Sequence, residues 1–129
     1  GDARARALTR RLIREVDEDF DAALDPLTTQ AFSKKPDERD PKVIADARKA
    51  VVDELALFSG AMRGDYLAGP LSAADYALYT LIAFLWRAEL KLPDLDADGM
   101  LTPELTRWKA RIEGLPYFEK TIPPHWRKA

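Results

Sequence analysis

The feature that most constrains the fold of this chain is an apolar run from Tyr76 to Trp86, inside a predicted helix from about Ala73 to Leu90. Apolar residues occupy most faces of this helix, and a helix of that kind is usually buried inside its domain. The run is too short to span a bilayer, which needs about 20 apolar residues. The pattern therefore predicts a central core helix around which the other elements pack.

A serine and an aspartate, Ser72 and Asp75, precede this run with the spacing of a capping box. The first backbone N–H groups of a helix have no partner within the helix. In a capping box the Ser72 hydroxyl accepts from the amide of Asp75, and the Asp75 carboxylate accepts from the amide of Ser72. We interpret the pair as a structural start signal. Its loss is expected to cost more than the usual ~1 kcal/mol, because the capped helix is predicted to be buried.

Helical spacing of apolar residues predicts four further helical segments and no strand. The first runs from about Ala3 to Ala31, where Pro26 predicts a kink or the end of the regular part. The second begins with Asp40 as N-cap and Pro41 as its first residue. After the apolar helix, the next segment begins with Thr102 as N-cap and Pro103 as its first residue. Pro116 opens a short last turn. The sequence predicts one all-α domain over residues 1–129, a bundle of about five helices.

Composition excludes several classes of function. The formal net charge is −2, so nothing indicates binding to nucleic acid or to an anionic membrane. The absence of cysteine excludes disulfides and thiolate metal sites and fits a cytoplasmic protein. His125 is the sole histidine and is interpreted as a surface residue. The charge clusters at residues 38–40 and 87–90 are interpreted as exposed faces.

The order of motifs resembles one family. The stretch from Asp65 to Asp75, DYLAGPLSAAD, resembles the segment before the central helix in the C-terminal domain of glutathione transferases. The later stretch ELTRWKARIEGLPYFEKT, which contains Trp108, is similar to the penultimate helix and following turn of that domain. The resemblance extends along nearly the whole chain.

The resemblance implies an all-helical domain that forms the wall of an apolar electrophile pocket and part of a homodimer interface. It also implies glutathione as cosubstrate of the full-length protein. The thioredoxin-like domain that binds glutathione and activates its thiol is not seen in this sequence, so we expect a fragment or processed chain without catalytic residues, cofactor or metal, inactive alone. The alternative is a non-catalytic interaction module in a larger assembly.

Candidates for the pocket wall come from position alone: Phe20, Ala23, Leu27 and Trp126. Phe20 and Leu27 also fit a purely structural role in the core, and Trp126 fits a cover at its edge. The first helix carries arginines in its first half and acids in its second, which opposes the helix dipole. Antiparallel pairing of two copies would compensate this order, and a solvated surface remains the other explanation.

The aspartates at 94, 96 and 98, followed by Gly99, imitate the first half of a calcium loop. The imitation fails at its last position, where Leu105 stands instead of glutamate. We therefore predict no metal site in this loop.

Overall fold

The structure is a computed structural model that describes residues 3–116, and within this range the chain forms five α-helices and no strand. These helices are α1 Ala3–Glu15, α2 Asp21–Thr28, α3 Pro41–Ala61, α4 Ala73–Lys91 and α5 Pro103–Glu113. The connections contain the short 3₁₀ turns Pro36–Glu38, Pro93–Leu95 and Asp98–Met100. The all-α fold predicted from the sequence is confirmed. The predicted last turn extends past residue 116 and so lies largely outside the described residues.

The first predicted helix is interrupted twice by π-helical turns, at Val16–Phe20 and Thr29–Ser33. Each π turn adds a residue to the helix and shifts its register, yet Val16 and Phe20 remain fully buried. Pro26 lies inside α2, and the regular α-helix ends two residues after it, at Thr28. The predicted end of the regular part is correct, but the chain continues helically to Ser33.

The apolar helix α4 lies at the centre of the bundle. It packs against α1, α2 and both π turns, while α2 packs against α3, and α3 against α5. Leu78 and Leu85 are completely buried in one core with Trp108 of α5. The central position follows from the composition of α4, because burial of its apolar side chains on several neighbours removes most of them from water.

Two other helix starts follow the predicted capping pattern. Asp40 Oδ1 accepts from the amides of Lys42 and Val43 at 2.9 and 3.4 Å, and Pro41 is the first residue of α3. Thr102 Oγ1 accepts from the amide of Leu105 at 3.2 Å, ahead of α5. Both assignments are confirmed.

The interpretation of the two charge clusters as exposed faces is wrong for Arg39 and Glu89. Arg39 donates to the carbonyl oxygens of residues 30, 31 and 91 at 3.0, 3.1 and 2.9 Å. Glu89 Oε1 accepts from the amide of Ala97 at 2.9 Å. The last carbonyls of a helix have no partner inside it, and the Arg39 guanidinium supplies that partner to two helix ends at once.

Candidate functional site

The start of α4 is organised around the carboxylate of Asp75, which is completely buried. Its Oδ1 accepts from Trp108 Nε1 at 2.8 Å and from the amide of Leu67 at 3.0 Å. Its Oδ2 accepts from the amide of Ser72 at 2.9 Å and from the Ser72 hydroxyl at 3.3 Å. One side chain therefore joins α4, α5 and the preceding loop.

The two residues of the capping box contribute unequally. The Asp75 carboxylate accepts from the amide of Ser72, as the pattern predicts. The reciprocal half is also present, with the Ser72 side chain at the amide of Asp75. That amide also donates to the carbonyl oxygen of Ser72 at 3.1 Å, and the Ser72 hydroxyl donates to the carboxylate at 3.3 Å. Asp75 is thus the principal residue of the cap.

The loop before α4 is held in one conformation by several contacts. Tyr66 and Gly69 form an isolated antiparallel bridge, and Gly69 has a φ of 99°, which favours glycine. Arg111 donates to the carbonyl oxygen of Asp65 at 3.0 Å. These contacts place the amide of Leu67 against the Asp75 carboxylate.

All four groups that contact the Asp75 carboxylate are hydrogen-bond donors. A carboxylate oxygen accepts hydrogen bonds, so this set of donors satisfies both oxygens of Asp75. Removal of a proton from a ligand would require at least one of these bonds to break. The arrangement therefore positions helices and is not suited to acid–base chemistry.

Sequence reasoning found Asp75 but missed its bonds to Leu67 and Trp108. The indole of Trp108 is 33 residues away along the chain. Its place on the inner edge of α5 was visible from the spacing of Leu105, Trp108 and Ile112. A buried indole N–H needs an acceptor, and that requirement was the available signal.

The predicted pocket residues do not form a common open surface. Phe20 and Leu27 are both 0% exposed, and Phe20 lies edge-on to Phe58 at 6.2 Å between ring centroids. Ala23 is half-buried. Trp126 lies outside the described residues. Of the three described candidates, Ala23 alone offers surface to a ligand.

Two open grooves lie at opposite ends of α4. The α1 groove, about 330 Å³, lies between the first half of α1 and the loop before α4; its lining includes Ala5, Arg6, Thr9, Arg10, Pro70 and Leu71. The α3–α4 groove, about 420 Å³, lies between the start of α3 and the end of α4. With 19 residues in α4, the two ends are ~28 Å apart at 1.5 Å per residue.

The surroundings shift the pKa of several groups, among them Glu54 and Tyr79. Burial, together with the carboxylates of Asp19, Glu15 and Asp53, raises the pKa of Glu54. Burial and the neighbouring Glu113 carboxylate raise the pKa of Tyr79, whose hydroxyl donates to Glu113 Oε2 at 3.2 Å. Glu54 lies on α3, whereas Tyr79 lies on α4 one turn after Asp75, with its ring centroid 6.2 Å from that of Trp108.

The loop that imitates a calcium site uses its carboxylates internally. Asp98 Oδ1 accepts from Trp86 Nε1 at 3.0 Å, and Asp96 Oδ1 accepts from the amide of Gly99 at 3.3 Å. Between residues 3 and 116, no group of three or more His, Cys, Asp or Glu side chains is arranged to hold a metal ion. In the same range, no helix is both long and apolar enough to cross a membrane.

The fold and the buried cap define an all-helical domain built around a central helix. The family model of the glutathione S-transferase C-terminal domain matches residues 13–116. The chain therefore belongs to the glutathione S-transferase C-terminal domain family, and the resemblance drawn from its motifs is confirmed. Comparison with curated proteins and with solved structures gave no match.

Proposed function

We propose that this chain is the helical domain of a glutathione transferase that uses glutathione as cosubstrate against apolar electrophiles. The observation that carries the proposal is the family match over residues 13–116, and the buried Asp75 fixes the start of α4 within that domain. The glutathione would be bound and activated by a thioredoxin-like domain of the same protein, in the cytoplasm. The helical domain would contribute to the wall of the electrophile pocket and to the dimer interface.

If a thioredoxin-like domain binds and activates glutathione, the 129-residue chain by itself should lack transferase activity. A thiol has an ordinary pKa of about 8.5 and needs a donor or a positive dipole to become a thiolate at neutral pH. We expect this chain with glutathione and a chlorinated aromatic electrophile to give no turnover above the uncatalysed rate. The protein encoded with the upstream segment is expected to be active. Turnover by the chain alone would contradict the proposal that glutathione is activated by the thioredoxin-like domain.

Ala23 is the described candidate for direct contact with the electrophile. In the full-length protein, Ala23→Trp should change KM for the electrophile by roughly tenfold and leave KM for glutathione unchanged. Ala22→Trp is the matched control, because Ala22 is the preceding residue and is exposed. If both variants have the same KM for the electrophile, Ala23 does not belong to the pocket wall.

The charge order of the first helix supports the dimer. Arginines on α1, among them Arg10 and Arg14, are exposed, as are the following acids Asp17 and Asp21. Two copies packed antiparallel would place the basic half of each helix against the acidic half of the other. The dimer should weaken as salt rises, because exposed charges are screened.

Charge reversal tests this pairing in sedimentation experiments. The double variant Arg10→Glu, Arg14→Glu and the double variant Asp17→Arg, Asp21→Arg should each be monomeric, and their mixture should form a heterodimer. A wild-type chain that remains monomeric at high concentration and low salt would refute the pairing and favour a solvated surface.

The alternative function is a non-catalytic interaction module. In this alternative, Leu57 and Leu90, which are 66% and 81% exposed, would lie in the interface with a protein partner. An upstream segment without a thioredoxin-like pattern, together with a stable stoichiometric partner and no turnover, would favour this alternative. An upstream thioredoxin-like segment with an activating Tyr, Ser or Cys favours the enzyme.

A further inference from the structure

The connection between α4 and α5 contains the only Asp–Gly pair of the sequence, Asp98–Gly99. The nitrogen of a residue that follows aspartate can attack the aspartate Cγ, and glycine has no side chain to shield that nitrogen. The new C–N bond closes a five-membered succinimide while the Cγ–OH bond breaks, and the amide proton leaves with the hydroxyl as water. Water then adds at the main-chain carbonyl and opens the ring to isoaspartate, so that the main chain passes through the former side chain.

Packing requires glycine at position 99. The neighbouring Asp96 has a left-handed φ of 52°, and a Cβ on residue 99 would collide with Asp96 Oδ2. The amide of Gly99 also donates to Asp96 Oδ1 at 3.3 Å. Asp98 and Gly99 are both exposed to water. The pair is therefore accessible, and its second residue cannot gain a side chain unless Asp96 moves.

The folded turn opposes closure of the ring. Asp98–Met100 is a 3₁₀ turn, and the amide of Leu101 donates to the carbonyl oxygen of Asp98 at 3.2 Å. A succinimide ring is nearly flat, which requires a ψ at Asp98 far from the 3₁₀ value of about −20 to −30°. The turn must therefore open before the ring can close, and local openings of exposed connections cost less than global unfolding.

A hydrogen bond from α4 holds the reacting side chain. Trp86 Nε1 donates to Asp98 Oδ1 at 3.0 Å, so the Asp98 carboxyl group must leave the indole before it can turn towards the Gly99 nitrogen. The indole is itself held in place. Its ring lies edge-on to that of Tyr79 at 5.5 Å between centroids, and Lys109 Nζ lies 5.0 Å from its centroid.

We propose that Asp98–Gly99 is a site of spontaneous isoaspartate formation, and that the hydrogen bond from Trp86 restrains this modification in the native chain. Isomerisation inserts Cβ into the main chain between α4 and α5. It also leaves an α-carboxylate in place of the side-chain carboxylate that accepts from Trp86, so the modified chain loses that bond. The site lies apart from the Asp75 cap and does not depend on glutathione chemistry.

The test is prolonged incubation of the folded 129-residue chain at neutral pH. Isoaspartate is measured by enzymatic methylation of its carboxylate and located by electron-transfer fragmentation of the tryptic peptide 92–107. We expect it at Asp98 in preference to Asp94 and Asp96, because leucine and alanine follow those two residues. The folded chain should react more slowly than the same chain unfolded in urea. Trp86→Phe should react about fivefold faster than the folded wild type, the factor that one ordinary hydrogen bond supplies.

Tyr79→Phe is the matched control for Trp86→Phe. It also removes one hydrogen bond between α4 and α5, the 3.2 Å bond to Glu113, but leaves the bond from Trp86 to Asp98 in place. It should therefore isomerise at the wild-type rate. Far-UV circular dichroism and urea midpoints check that both variants are folded.

Three results would overturn the proposal. Equal rates in the folded and the unfolded wild-type chain would show that the turn restrains nothing, and this comparison needs no variant. Equal rates in Trp86→Phe and Tyr79→Phe would show that the indole bond is not the restraint. Absence of isoaspartate at Asp98 from folded Trp86→Phe, over a time in which the unfolded chain reacts, would show that the folded chain has no such site.

Discussion

The buried carboxylate of Asp75 permits a prediction whose magnitude follows from its contacts. Asp75→Asn replaces one acceptor oxygen with a donor NH₂ group inside a site where all neighbours donate. Suppose that the side-chain amide oxygen of the new Asn keeps the hydrogen bonds from Trp108 and Leu67. The NH₂ group then faces the backbone N–H of Ser72, which in the wild type donates to Asp75 Oδ2 at 2.9 Å. One charge-assisted bond is lost, worth about 1.5–3 kcal/mol, and a buried donor is left to find a partner, which costs about 1–3 kcal/mol.

The Ser72 hydroxyl can turn to accept from the new amide, so the expected total is about 3 kcal/mol rather than the sum of the upper limits. For a chain of this size, that loss lowers Tm by roughly 12 °C. Asp75→Ala removes all four bonds and should cost about 5 kcal/mol or more, which is comparable to the entire stability of a small domain.

Two matched variants separate the carboxylate from its partners. Trp108→Phe deletes only the indole N–H and part of the ring, and should cost about 2 kcal/mol. Ser72→Ala removes a half-buried hydroxyl whose bond to Asp75 is 3.3 Å, and should cost about 1 kcal/mol or less. The expected order of destabilisation is Asp75→Ala, Asp75→Asn, Trp108→Phe, Ser72→Ala.

Urea denaturation followed by far-UV circular dichroism measures these free energies, and an unchanged m-value shows that each variant unfolds from a comparable native state. The reasoning is refuted if Asp75→Asn is as stable as wild type. It is also refuted if Ser72→Ala costs as much as Asp75→Asn, because the hydroxyl and not the carboxylate would then be the principal element of the cap.

Three further perturbations test other parts of the fold. In the Arg39→Lys variant one ammonium group cannot reach three carbonyls, so the free energy of unfolding should fall by about 2 kcal/mol, with Arg63→Lys as the exposed control. Equal urea midpoints for the two variants would contradict the role of Arg39 in joining the two helix ends. Gly69→Ala should cost about 1 kcal/mol because of its φ of 99°, whereas Gly60→Ala, in a helix with open space around it, should stabilise. Glu54 has a raised pKa, so its protonation favours the folded state, and stability falls as pH rises from about 4.5 through that raised value. Glu54→Gln should therefore raise Tm at pH 7 and lose this advantage in acid; a constant difference in Tm across pH would contradict the linkage.

Local sequence rules predicted much of the architecture, since each rule concerns residues only a few positions apart. The caps at Asp40 and Thr102 depend on side chains that bond amides two or three residues away. The central position of α4 follows from its apolar composition. The two π turns were not predicted. Apolar residues in any helix already recur at intervals of three or four residues, so one inserted residue does not change this pattern enough to be recognised.

What the tertiary structure decided was the partners of the polar side chains. Asp75 was recognised as a cap from its spacing to Ser72, but its bonds to Trp108 and Leu67 required two other segments to be brought against it. From the sequence, Arg39 is predicted to be a solvated charge beside Glu38 and Asp40. In the structure it joins the ends of two helices. Helix formation is governed by neighbours along the chain, whereas a buried polar group must find whichever donors or acceptors the packed helices present, and sequence separation carries little information about that choice.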